Sequence, residues 1–389
     1  MAKWTVIILG ITGDLARKKL IPACYALFQQ EAYKGSILVG AAHDVTTIDV
    51  LLETSKDYIE DFDPAIWQNF KNRAYYQLLD FNTLKDFELL AQSISKYEAQ
   101  NFILHNRLCY ISAPTDFYCN ITKHLAQTGI IVKQTENPTH RIVYEKPFGW
   151  DLASAQSINT CIKHYFSELQ VYRVDHYLTK SLVQSLMFVR FANILFQAVW
   201  NNKYIDQVQI IFNETVGIAG RGSFYDRYGA LKDVMQNHML QLLSLTAMKK
   251  PEMLNAQTIG HAKATILEAT KVESLVRGQY VGYRAEKDVA DNSDTETYVA
   301  MKAVVDTPEW KGVPFFLKTG KSLTEKSTEI HIVFKGLEKK VFGMPGLFES
   351  NSITLRITPH SGVAVQLNVQ KSNSLHVVPI EIDFCYQCF

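Results

Sequence analysis

The sequence predicts two successive domains of different class. The first, over residues 1–173, is a doubly wound α/β domain; the second, over 174–389, is an α+β domain with a large, mostly antiparallel sheet. Three observations lead there. A chain of 389 residues exceeds what one ordinary core organises. Up to about Leu169, short apolar strands alternate with amphipathic helical stretches. From Val208 onward, strands of period two follow one another with few helices between them.

Composition excludes several classes. Forty basic residues against 39 acidic ones give a net charge of +1, which is no footprint for nucleic acid or an anionic membrane. Any anion site must therefore be a local cluster. The apolar run at the start is too brief for a signal segment and reads as a strand, and no run is long enough to span a bilayer. Cytoplasmic residence is the expectation. Cysteines stand at 24, 109, 119, 161, 385 and 388. Only Cys385 and Cys388 have metal or redox spacing, and they lack the second ligand pair of a zinc site, so free thiols and no metal centre are expected.

The elements follow in order. Val6–Leu9 is a buried parallel strand, and a helical pattern runs from Leu15 to about Gln29. Between them lies Gly10-Ile-Thr12-Gly13-Asp14. Strand, glycine turn and helix together suit a dinucleotide: the glycines admit a pyrophosphate, Asp14 can cap, and the helix start offers free N–H groups. A Rossmann-like unit follows from this, with Gly10, Thr12, Gly13, Asp14 and Leu15 as coenzyme candidates. A second strand, Ile37–Ala42, ends at His43-Asp44, where such a unit meets the adenosine ribose. A carboxylate there would repel a 2′-phosphate, unless Asp44 merely begins a turn.

Tyr75–Leu79 is strand-like, and the strands at Arg107–Ala113 and Arg141–Lys146 each break into polar or proline residues at their carboxyl ends, the edge where open α/β sheets bind ligands. Glu145-Lys146-Pro147 is a candidate there, with a surface ion pair as the alternative. Arg173 to Lys180 then collects an acid, an imidazole, a phenol and an ammonium. It is either a solvated interdomain turn or a set of groups awaiting a ligand. A long apolar helical run, Leu182 to about Trp200, comes next. Within the second domain a helix spans about Ala230–Met248. On an α-helix His238 lies roughly 140° round from Asp233. A basic His238 would thus take its orienting acid from elsewhere, and Asp175 is the candidate. A core histidine bonded to a backbone carbonyl is the alternative.

Seven stretches now stand together: Gly10–Ala16, Glu145–Gly149, Arg173–Tyr177, Arg190–Asn193, Gly220–Gly222, Asp233–His238 and Val313–Lys321. In this order the chain resembles the glucose-6-phosphate dehydrogenase family over nearly its whole length. The resemblance implies a homodimer formed through the large sheet. It implies oxidation of β-D-glucose 6-phosphate at C1 to the 6-phospho-lactone, with hydride passing to NADP or NAD. It casts His238 as general base, oriented by Asp175. His176, Tyr177 and Lys180 would grip the phosphate, with Lys326 a further cation. Glu214, Asp233 and Lys321 would meet the sugar, and Lys146 would bridge substrate and coenzyme.

Three departures qualify this. The family commonly continues Asp-His-Tyr-Leu with Gly-Lys-Glu, where this chain has Thr179-Lys180-Ser181. His43-Asp44 stands where NADP-preferring members carry Arg followed by Ser or Thr, which leans the expectation to NAD or dual use. The family also continues beyond the strand Ile380–Phe384 with a helix-rich segment, without which apolar sheet surface is expected to be exposed. Two other readings stay open: a relative that only binds nucleotide or sugar phosphate, and a dehydrogenase of another sugar phosphate.

Overall fold

The computed structural model describes residues 3–133, 139–336, 340–341, 344–345, 348–372 and 376–385, and divides into two units, Met1–Asp175 and His176–Phe389.

The first unit holds a six-stranded sheet in the order β3-β2-β1-β4-β5-β6, every pairing parallel. Its strands are β1 Thr5–Leu9, β2 Ile37–Ala42, β3 Ala74–Leu78, β4 Arg107–Ile111, β5 His140–Tyr144 and β6 Val171–Arg173. Parallel strands need crossovers, and the helices supply them on both faces. Ile8 and Leu38 turn toward α1 Ile21–Gln29, α2 Ile48–Ser55 and α3 Pro64–Lys71. Ile7, Leu9 and Val39 turn the other way, toward α4 Leu84–Asn101, α5 Tyr118–Gln127 and α6 Leu152–Tyr165. At the amino edge of the sheet the fully buried Glu98 carboxylate accepts from Arg107 Nη2 at 2.7 Å, Arg107 Nε at 2.8 Å and Thr5 Oγ1 at 2.9 Å. This ties α4 to β1 and β4.

The second unit is built on an eight-stranded sheet ordered β16-β15-β14-β11-β7-β10-β9-β8. Its strands are β7 Ile205–Asn213, β8 Thr270–Gly278, β9 Tyr298–Val305, β10 Pro314–Gly320, β11 Ser327–Phe334, β14 Ser352–Thr358, β15 Gly362–Gln370 and β16 Val377–Cys385. A separate two-residue pair joins β12 Lys340–Val341 to β13 Met344–Pro345. All pairings in the large sheet are antiparallel except β7 with β10. Alternation sends Val208, Ile210, Phe315, Leu317, Val299, Met301, Ile330 and Leu355 into one core. Against that face lie α7 Ser181–Phe191, α8 Ile194–Gln197, α9 Gly222–Ala230, a π-helical stretch Leu231–Met239 running into α10 Leu240–Ala247, and α11 Ala256–Glu268.

Four expectations change. The apolar run after Leu182 is two helices, because the Asn193 side chain takes the Phe188 and Val189 carbonyls and closes α7. Residues 231–239 wind as a π-helix, whose hydrogen bonds run from i to i+5. Asp233 and His238, five apart, therefore stand much nearer one face than the 140° offset of an α-helix allows. Asp14 does not cap its helix; its carboxylate accepts from Arg17 at 2.8 Å and Lys18 at 3.0 Å. Free thiols are found at Cys24 and Cys109, but Cys119 and Cys161 form a disulfide joining α5 to α6, and Cys385 is disulfide-bonded. Cys388 lies outside the described residues. Apolar side chains are exposed on β15 and β16. Leu367, Ile380, Ile382 and Phe384 stand in register with the core face of β14 yet are 39%, 39%, 40% and 55% exposed.

The Glu98 cluster yields a pH prediction. Burial raises its carboxyl, but hydrogen bonds from Arg107, His105 and Thr5 outweigh that and hold it below the ordinary value. A depressed carboxyl stabilises the fold above the unfolded pKa of about 4.3 and loses that contribution as pH falls through the folded value. Glu98→Gln is expected to cost about 3–5 kcal/mol at pH 7. Denaturant unfolding of both proteins should show the gap narrowing below about pH 4.

Candidate active site

In the first unit, Gly10 follows β1 with φ +88°, and a Cβ there would lie 2.3 Å from the Ser112 carbonyl oxygen. Its N–H donates to Ala41 at 2.7 Å, and the Gly13 N–H donates back to Gly10 at 3.2 Å. Only glycine fits at position 10, and the turn it makes brings backbone to the carboxyl edge of the sheet at the start of a helix running from Asp14 to Gln29. Thr12 Oγ1 donates to Asp44 Oδ2 at 2.5 Å, linking the glycine turn to the end of β2, and His43 Nε2 lies 3.6 Å from Asp44 Oδ1. The residues Gly10, Thr12, Gly13, Asp44 and His43 are thus brought to one edge. Leu15 is 39% exposed beside them.

The same edge carries Glu145 and Lys146 at the end of β5. Tyr110 from β4 donates to the Glu145 carboxylate, and Tyr118 from α5 donates to the Glu145 carbonyl at 2.6 Å. Burial first, then the carboxylate, push the Tyr110 phenol far above its usual value, so it stays protonated and donating. Two phenols therefore fix the peptide that leads into Lys146, and the Lys146-Pro147 bond is cis. The spacing of the sequence did not reveal these tyrosines. Each lies more than 25 residues from Glu145, and they meet it only through the folding of β4, α5 and β5 onto one another.

Asp175 closes the first unit and is joined directly to His176, the first residue of the second. From there the second unit gathers its candidates. His238, 4% exposed, has its ring centroid 4.4 Å from Tyr177, 4.9 Å from His176 and 6.0 Å from the parallel ring of Phe212 on β7. Lys180 places its ammonium 5.3 Å from the Tyr177 ring. Lys321, 4% exposed at the end of β10, donates to Glu214 at 2.6 Å, and its ammonium lies 5.2 Å from the ring of Tyr225. The Tyr225 hydroxyl is buried without a hydrogen-bond partner among the described residues, and burial with nearby Asp233, Glu214 and Glu296 pushes it far up. Asp233 lies on the π-helical stretch with His238. Lys326 is exposed on the turn between β10 and β11. Phe212 and Tyr225 were missed, because nothing in an apolar strand or a tyrosine-rich helix marks them as neighbours of charge.

The glycine turn at the carboxyl edge of the first unit's parallel sheet and, in the second unit, a buried imidazole among aromatic rings are the form of a nicotinamide-dinucleotide-dependent oxidoreductase. The comparisons with known proteins make it particular. Residues 7–185 match "Glucose-6-phosphate dehydrogenase, NAD binding domain", and residues 187–389 match "Glucose-6-phosphate dehydrogenase, C-terminal domain". The glucose-6-phosphate 1-dehydrogenase of Chlamydia pneumoniae is 35% identical over 99% of this chain and 80% of its own length. That of Bacillus subtilis is 34% identical over 99% and 82%. A solved structure described as glucose-6-phosphate dehydrogenase in complex with its substrate superposes with a TM-score of 0.90 at 28% identity, covering 99% of this chain and 82% of that one. The enzyme from Mycobacterium avium gives a TM-score of 0.87 at 34% identity over 99% and 82%. The chain belongs to the glucose-6-phosphate dehydrogenase family.

The cradle carries its own test. Gly10→Ala forces a Cβ into the Ser112 carbonyl at a positive φ and is expected to destabilise by about 1–3 kcal/mol. Isothermal titration should show coenzyme binding weakened at least about tenfold, since the displaced turn closes the approach to the pyrophosphate. Gly129→Ala, where a Cβ meets open space, is the comparison for backbone strain alone.

Proposed function

We propose that this chain oxidises β-D-glucose 6-phosphate at C1. A bound nicotinamide ring supplies the hydride acceptor at C4. The C1–H electron pair leaves with the hydrogen, the C1 hydroxyl gives up its proton, and the C1–O bond becomes the carbonyl of 6-phospho-D-glucono-1,5-lactone. His238 takes that proton. An imidazole, which can accept a proton at one ring nitrogen while the other is held, suits a general base. Asp175, joined to a residue whose ring lies 4.9 Å from His238, holds and stabilises the imidazolium. His176, Tyr177 and Lys180 offer N–H and O–H donors to the phosphate. The Lys321–Glu214 pair and Asp233 meet the sugar hydroxyls, with Lys326 as a further cation at the rim, and Lys146 stands between sugar and coenzyme. The observation that carries this reading is His238 itself, buried against Tyr177 and His176.

Further readings rest on this one. Asp44 puts a carboxylate where a 2′-phosphate would lie, while Arg17 and Lys18 are already paired with Asp14. We therefore favour NAD or dual use over strict NADP. The outer face of the large sheet displays Phe316 at 39% and Val276 at 63% exposure, and a homodimer through that face would cover them.

Coenzyme reduction with glucose 6-phosphate tests the core. His238→Ala is expected to lower kcat by about 100- to 10,000-fold with KM little changed. An inactive parent chain would favour a purely binding relative, and equal rates in both would remove His238 from its role. Initial rates across NAD and NADP series should give kcat/KM ratios within about tenfold; a far larger NADP preference overturns the Asp44 reading. Light scattering should find a dimer that Phe316→Glu converts to monomer.

A further inference from the structure

The stretch Arg190–Asn193 lies outside the active site, yet its chemistry is unusual. Arg190 is 4% exposed, its Nη1 and Nη2 donate to backbone carbonyls, and its Nε has no hydrogen-bond partner among the described residues. A buried guanidinium costs several kcal/mol unless something answers its charge. What answers it is the end of a helix. The helix that begins at Leu231 and carries Asp233 and His238 ends at Ala247, leaving its last carbonyls without intrahelical partners. Four consecutive carbonyls there are taken by buried side chains. Arg190 Nη1 donates to Leu245 and Arg190 Nη2 to Met248 at 2.7 Å. Trp200 Nε1 donates to Thr246 at 2.9 Å, and Trp310 Nε1 to Ala247 at 2.8 Å. The guanidinium carbon lies 4.5 Å from the Phe191 ring and 5.4 Å from that of Trp200.

The opposite end has the opposite charge. Glu296 Oε1 accepts from the Leu231 N–H at 2.9 Å, and the Glu296 carbonyl accepts from Ala230 at 2.9 Å. An acid at the amino end and a cation at the carboxyl end both follow the helix dipole. This helix is clamped at both ends by groups from other elements.

We propose that Arg190 is a positioning residue for the reaction, fastening the helix that bears Asp233 and His238 to the helix that springs from His176–Lys180. The proposal rests on His238 being the base. Arg190 sits at the far end of α7, whose first turn is bonded to Lys180 through the Gln184 N–H at 3.1 Å. The cap on Leu245 lies seven residues beyond His238, roughly 10 Å along the helix. A tilt of about 5° at the cap shifts His238 by about 1 Å, a misplacement that can cost on the order of 100-fold in rate. Both helices meet at Arg190, so one side chain sets the spacing between phosphate grip and base.

The experiment compares Arg190→Met, Arg190→Lys and Trp200→Phe with the parent chain, all assayed well below their melting temperatures and corrected for folded fraction. Arg190→Met is expected to lose at least about tenfold in kcat/KM for glucose 6-phosphate, with the coenzyme KM within about twofold. Arg190→Lys, which keeps the charge, should recover part of the loss, and Trp200→Phe, which removes one donor and keeps a ring, should lose less than Arg190→Met. If Arg190→Met does not fold, the other two carry the test. Parent-like kcat and KM per folded molecule, with only the melting temperature lowered, overturn the proposal and leave the cap purely structural. His238→Ala is run alongside. If it stays fully active, the base reading fails and this proposal with it; if it is inactive while the Arg190 variants are parent-like, only this proposal fails.

Discussion

The second unit turns on one constraint: the imidazole of His238 is buried where three elements meet. Its ring is held by three elements at once. Phe212 comes from a central strand, Tyr177 and His176 from the segment entering the domain, and the backbone of His238 from the π-helical stretch. None of the three can move independently. Phe212 is fixed by pairing with β10 and β11, and the entry segment is fixed by α7. A flexible imidazole would sample several rotamers, and this packing removes that freedom in advance.

Charge around that ring is arranged in local pairs, as a net charge of +1 demands. Lys321 is nearly inaccessible and already neutralised by Glu214, so it is a donor of fixed direction more than a source of attraction. His176 is exposed and Lys180 partly exposed. At the coenzyme edge the same economy appears in reverse. Asp14 absorbs Arg17 and Lys18, and Thr12 satisfies one oxygen of Asp44. A pyrophosphate there must be met by backbone N–H groups, which is what a glycine turn at a helix start provides.

The architecture was legible where burial has a period. Alternating strands of the second unit and apolar strands of the first are written directly in residue order, because each side chain's face is decided by its neighbours two away. The site was legible only in part. Local residues suggested that His238 needed a remote acid, but the family resemblance, not the pattern, assigned the other roles. What stayed hidden was of another kind. An α-helix and a π-helix place apolar residues at similar intervals, so the winding at 231–239 leaves no mark. The Cys119–Cys161 bond joins residues 42 apart that only the packing of α5 on α6 brings together. Tyr110 reaches Glu145 from the neighbouring parallel strand and Tyr118 from α5, where sequence distance says nothing about neighbours.

The segment Arg173–Lys180 shows how a departure from a family pattern can be absorbed. Glycine is common where this chain has Thr179, and a β-branched residue would be strained there only if the backbone demanded positive φ. It does not; Thr179 is absent from the positive-φ positions among the described residues. Its hydroxyl instead donates to the His176 carbonyl at 2.7 Å, while the Lys180 N–H donates to Tyr177 at 3.2 Å. The turn is closed by a side chain that glycine lacks. Ser181 then opens α7 without having to supply a cap, since its neighbour Lys180 has extended backbone and the helix is anchored at its far end. The substitutions therefore stiffen the turn that carries His176 and Lys180, which is held by different bonds from those a glycine would allow.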